Sequence, residues 1–192
     1  MAERRLTGRI WFMALFLCLG ALVLLLRMLP LQGLGDATRA PGDTGLTLAT
    51  WPAPDIMLVL ILAWVMRRPD LLPAPVIVAY VFVEDILMLR PPGLWALIML
   101  MATEFLRRRN PALRGLTLGL EFGLVAALML GMFLLNRMVL GIVMVPQAPL
   151  GLSLAQLVGN VALYPIVVAV LHFGLGVRKP ATGEVDELGQ KL

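Results

Sequence analysis

Long unbroken runs of Leu, Met, Val, Ala and Ile follow one another along this chain, separated by short stretches where Arg, Pro, Gly and Asp collect. The runs stay apolar on every side instead of alternating residue by residue, so they predict helices and not barrel strands. Six are distinguished, over about 10–29, 51–66, 71–89, 93–106, 115–135 and 152–175. Inside lipid each backbone N–H and C=O must find a partner within the protein, which a helix supplies from its own chain. The expected fold class is an all-α polytopic membrane protein, a single six-helix transmembrane bundle spanning residues 1–192 with both termini cytoplasmic. The first run covers ~30 Å as helix at ~1.5 Å per residue. The second and fourth cover only about 24 and 21 Å, against a hydrocarbon core of ~30 Å. They are expected to pack inside the bundle or to sit in locally thinned bilayer. A four-span arrangement that demotes both is the alternative. Residues 138–145, apolar again after Arg137 and then interrupted by Pro146 and Pro149, read as an outer extension of the fifth helix or as an interfacial segment. Pro30 to Thr50, rich in Gly, Asp and Thr, reads as an extramembrane loop.

The charges support this map. With the N-terminus inside, Arg4, Arg5, Arg9, Arg67, Arg68, Arg107, Arg108, Arg109, Arg114, Arg178, Lys179 and Lys191 fall on the cytoplasmic side, leaving Arg27, Arg39, Arg90 and Arg137 outside. Such an excess at every inner loop is the positive-inside bias. The 192 residues are 60% hydrophobic and 15% charged, with a mean hydropathy of +0.90, too apolar for a soluble exterior. The net charge of +4 comes from short clusters beside apolar runs, so no nucleic-acid partner is expected. The single cysteine, Cys18, lies within the first run and supports neither a disulfide framework nor a metal cluster. The first run is too long for a signal peptide, lacks a small-residue cleavage site and is followed by further spans.

Charged and small residues inside the runs are the candidates for interaction. The fifth run carries Gly115, Gly119, Gly123, Ala127 and Gly131 at four-residue spacing, a ridge that lets another backbone approach closely. Internal helix packing is the expected use, and a docking face for another membrane protein the alternative. Ser153, Gln156, Asn160 and Tyr164 share one sector of the sixth helix, a face expected to look into the bundle for interhelical hydrogen bonding or to line a ligand pocket. His172 lies off that stripe and reads as an interfacial side chain. Asp55 opens the second helix after Pro54, where a carboxylate complements the helix dipole, an explanation sufficient in itself. Glu104 has Arg107 and Arg108 at helical pairing distance. Glu121 has no partner in its own helix and is costly in lipid. Arg27 and Asp85 are expected to lie at similar depth near the outer face; they either pair, with Glu84 competing for the arginine, or Arg27 snorkels to the headgroups while Asp85 pairs with Arg90 or stays wet.

Catalysis has little to rest on. There is one histidine, and no His-Glu-x-x-His, Gly-x-Ser-x-Gly or phosphate-cradling glycine loop. No catalytic, cofactor or metal residues are assigned, and no cofactor is expected. Residues 52–109 do resemble a known family. A Pro-Asp opening the second helix (Pro54, Asp55), a basic-Pro turn (Arg68, Pro69) and a Leu-Pro start to the third (Leu72, Pro73) are followed by an acid-centred run into Pro-x-Gly (Asp85, Leu87, Pro91, Gly93). This stretch resembles the MreD family of rod-shape-determining proteins; length and span number agree along the whole chain. Val83, Glu84 and Leu89 stand where small residues are usual, so two adjacent carboxylates compete for one family position. The resemblance implies a non-enzymatic subunit of the elongation machinery that inserts peptidoglycan along the side wall of a bacterium, resident in the inner membrane. It implies association with the bitopic protein MreC, and through it with the transpeptidase PBP2, the glycosyltransferase RodA and, indirectly, MreB filaments. The family is also similar in fold to the substrate-binding S components of energy-coupling-factor transporters, so a small-molecule-binding transporter subunit is the second expectation.

Overall fold

The computed structural model describes residues 2–28, 52–113 and 115–174. The loop expected over 30–50, the tail beyond 175, and Arg39, Arg114, Arg178, Lys179 and Lys191 lie outside them. Among the described residues there are six helices and no strand: α1 (Ala2–Met28), α2 (Ile56–Arg67), α3 (Ala74–Leu87), α4 (Leu94–Leu113), α5 (Leu118–Ile142) and α6 (Leu150–Phe173). Three of the apolar stretches, Ile10–Met28, Leu118–Ile142 and Leu150–Phe173, are long and apolar enough to cross a membrane. The other helices are shorter or carry more charge. α2 has 12 residues and α3 has 14, about 18 and 21 Å of helix.

Local chemistry sets the ends. Asp55 caps α2 by accepting from the Leu58 N–H at 3.1 Å, and Pro69, which disfavours helix at the residue before it, stops α2 at Arg67. Pro75 lies in the first turn of α3, where its missing N–H costs nothing. α3 and α5 end in the same way. Leu89 (φ 54°) and Met144 (φ 57°) adopt the left-handed conformation. The following amides of Arg90 and Val145 reach back to the carbonyls of Asp85 and Leu140, at 2.9 and 3.0 Å. Both are Schellman closures in which an L-residue takes the position glycine usually holds, and each is followed by a proline.

α4 corrects the sequence reading. The fourth helix was expected to end near residue 106, with Arg107 to Arg109 in a loop; it continues to Leu113. Arg107 is held on the helix by donating to the carbonyls of Pro69 (3.0 Å) and Leu72, and Asn110 donates to the Met66 carbonyl at 3.2 Å. These bonds tie the end of α4 to the α2–α3 turn, so the basic cluster crowns a helix. Arg107 also pairs with Glu104 at 3.3 Å, as the spacing predicts. α5 runs unbroken to Ile142, which makes residues 138–142 its extension.

α2 is the centre of the packing. Every residue from Met57 to Arg67 is buried, and the helix touches α1, α4 and α6. Trp64 is fully enclosed, edge-on to Phe12 and Phe16 of α1. The helices alternate in direction. One end of the molecule gathers the end of α1 (Arg27), the start of α2 (Asp55) and the end of α3 (Glu84), and the other gathers the end of α2 (Arg67) and the start of α5 (Glu121).

A tight contact between helices involves a glycine outside the ridge. A Cβ on Gly20 would lie 2.5 Å from the Tyr80 ring, and that ring is fixed by Phe16 and by its hydroxyl's bond to the Gly20 carbonyl at 3.3 Å. Gly20→Val is therefore expected to push α1 off α3 at a cost of about 1–3 kcal/mol. Thermal unfolding in detergent would show it, with Gly123→Val as the mild control; equal losses would disprove the contact.

Candidate functional site

Two buried ion-pair clusters clamp the two ends of α2. At its start, Arg27 reaches from α1 to Asp55 (2.9 Å) and to Glu84 of α3 (2.5 Å). Asp55 is thus both a helix cap and an ion partner, and the dipole explanation alone is insufficient. Its backbone N–H donates to the Asn160 side chain of α6 at 2.6 Å. At the far end Arg67 donates to Glu121 of α5 at 2.9 Å, and the Tyr164 hydroxyl of α6 donates to the same carboxylate oxygen at 2.7 Å. All of these side chains except Arg27 are nearly inaccessible. Charges taken out of water at such cost persist only when paired and hydrogen-bonded.

The expected Arg27–Asp85 pair does not form; the competitor Glu84 takes the arginine. Glu84 and Asp85 are adjacent, so their side chains leave α3 about 100° apart. Glu84 faces α1, and Asp85 faces the start of α4. There its Oδ2 accepts from the N–H of Gly93 (3.2 Å) and of Ala96 (3.3 Å), capping the next helix from outside it, while Oδ1 has no hydrogen-bond partner. Gly93 has φ 87°, a conformation that L side chains rarely adopt, which explains the glycine of the Pro-x-Gly turn.

The polar face of α6 is brought inward as expected. Asn160 and Tyr164 are buried, Gln156 donates to the Ala53 carbonyl at 3.3 Å, and Ser153 accepts from Arg137 at 3.2 Å. His172 stacks edge-on with Phe173 at the end of α6. Internal packing of the α5 ridge, in contrast, is overturned. Among the described residues nothing lies within 4 Å of a Cβ built on Gly115, Gly119, Gly123 or Gly131, and the ridge is exposed, with Ala127 on it. α5 meets α4 and α6 through another side, where Glu121, Val125, Met129 and Met132 are buried.

Between the start of α2, the start of α4, the second half of α5 and the first half of α6 lies a cavity of about 390 Å³. Asp55, Arg90, Asn136, Arg137, Gln156 and Asn160 line it together with Trp95, Met129 and Phe133. The sequence reading missed Arg67 and Arg137 as site residues and gave Arg90 only as a rival partner for Asp85. Arg67 looked like any inside arginine, and the only signal in its favour was its position at the end of a wholly apolar run. Among the described residues no group of three or more His, Cys, Asp or Glu is arranged to hold a metal ion. No protein-family model matches the chain, and neither does any curated protein or solved structure.

Proposed function

We propose that the chain is a non-enzymatic multi-pass protein of the bacterial inner membrane, an MreD-like subunit of the elongation complex that supports rod shape and lateral peptidoglycan synthesis by binding MreC. In this reading it crosses the bilayer six times with both termini in the cytoplasm, and PBP2, RodA and MreB join through the larger assembly. α2 is too short to span alone. Its terminal charges, Asp55 and Arg67, are neutralised by partners on neighbouring helices, so neither has to reach the headgroups, and a helix of about 18 Å is compatible with a crossing. The sequence resemblance over residues 52–109 supplies the family.

The observation that carries the reading is the outward small-residue face of α5. Open glycines flanked by exposed Leu120, Phe122, Leu130 and Leu134 form a shallow apolar surface against which one transmembrane helix packs closely, and MreC is a bitopic protein with one such helix. Co-expression tests this. Gly119→Leu and Gly123→Leu should leave the subunit folded, since neither glycine has a neighbour to displace among the described residues, while reducing co-purified MreC by about tenfold, a loss of ~1.4 kcal/mol. Undiminished recovery would rule out this face, and failure of the native pair to co-purify would rule out the function.

A further inference from the structure

The cavity beside the start of α2 carries two arginines that form no ion pair with a described carboxylate, although Arg90 lies near Glu84 and Asp85 and Asp55 is part of the lining. Two guanidinium groups line it, Arg90 from the turn after α3 and Arg137 from α5. The acids nearby are already engaged. Asp55 and Glu84 hold Arg27, and Asp85 caps α4 through its Oδ2. Arg137 donates only to neutral acceptors, the Ala148 carbonyl (3.1 Å) and the Ser153 hydroxyl (3.2 Å), with its guanidinium over the Phe133 ring. No carboxylate of the described residues lies within ion-pair distance of Arg90 or Arg137. Apolar lining is supplied beside them by Trp95, Met129, Phe133 and Leu157.

We propose that this cavity binds the head of an amphiphilic phosphate, with the phosphate between Arg90 and Arg137 and the adjoining apolar atoms against Trp95, Met129 and Phe133. Guanidinium groups favour phosphate because their planar fork matches its oxygens, and a phosphate has enough acceptors to bridge two of them. The cavity volume of about 390 Å³ falls within the usual range of small-ligand sites, roughly 300–1,000 Å³, and accommodates a head group but not two full acyl chains. The site is independent of the complex the chain joins, because none of its lining residues belongs to the α5 ridge.

Native mass spectrometry of the full chain in a non-ionic detergent provides the test, with three probes. Dihexanoyl phosphatidylglycerol carries the phosphate and short chains, dihexanoylglycerol the chains alone, and glycerol 3-phosphate the phosphate alone. Phosphatidylglycerol should saturate at one molecule per chain, about tenfold tighter than dihexanoylglycerol, a gap of ~1.4 kcal/mol. Arg90→Gln should abolish most of that difference. It is the decisive variant, because Arg137 also holds the 148–153 segment whereas the Arg90 side chain makes no hydrogen bond to lose; unchanged thermal unfolding would confirm that the fold is intact. Binding of phosphatidylglycerol without comparable binding of glycerol 3-phosphate supports an amphiphile, and equal binding of glycerol 3-phosphate would show that the apolar lining contributes nothing and overturn it. Equal binding of dihexanoylglycerol and phosphatidylglycerol, undiminished binding to Arg90→Gln, or no saturable binding of either phosphate would overturn the proposal.

Discussion

Arg67→Leu should destabilise the protein by about 3–5 kcal/mol, the usual cost of stranding one member of a buried ion pair. The carboxylate it leaves behind, Glu121, is 2% exposed. The Tyr164 hydroxyl would still donate to it, but the guanidinium that meets it at 2.9 Å would be gone. Because the loss comes from removing one member of a buried pair and leaving the other in place, Arg67→Leu combined with Glu121→Leu should recover part of it; apolar replacements of buried pairs are often neutral or better. Thermal unfolding in one detergent, compared across the two single variants and the double, reads the result. A double variant no more stable than Arg67→Leu alone would mean that side-chain packing, and not charge, dominates that end of α2.

Arg27→Gln is the second large effect, again about 3–5 kcal/mol, because one substitution strips the ion partner from both Asp55 and Glu84. Adding Asp55→Asn and Glu84→Gln should restore part of the stability. Asp85→Asn should cost much less, since the amide oxygen of asparagine can still accept from Gly93 and Ala96. The ranking is the test: if Asp85→Asn is as damaging as Arg27→Gln, then Asp85 and not Glu84 is the partner of the arginine.

These two predictions mark where sequence reasoning held and where it ran out. The helices were legible because each is a continuous apolar run, and Glu121 and Asn160 stood out as polar groups that such a run has to justify. Depth along a helix can also be counted, which is why Arg27 and the acids near residue 85 were matched to one end of the bundle. The direction in which a side chain leaves its helix is not so readable, and Glu84 and Asp85 differ only in that. The same gap hid Arg67, which is buried while its neighbour Arg68 is exposed. Spacing misled twice. The four-residue glycine repeat on α5 permits close packing but does not compel it, whereas the isolated Gly20 is pressed against the Tyr80 ring. Arg107 to Arg109 looked like a loop because charge was taken to end a helix, and the carbonyls of Pro69 and Leu72 that hold Arg107 belong to a distant turn.

The two clamps on α2 differ in when they can close during synthesis. A chain is made from its N-terminus and folds in part as it emerges. Arg27 precedes α2, and Glu84 follows Arg27 by 57 residues, so the first clamp can close once α3 is made. Glu121 lies 54 residues beyond Arg67, and Tyr164 a further 43 beyond Glu121. Throughout that interval a nascent chain carries a bare arginine at the end of a helix otherwise ready to be buried. Until α5 and α6 arrive, the end of α2 therefore lacks the carboxylate and the phenol that enclose its arginine in the finished fold.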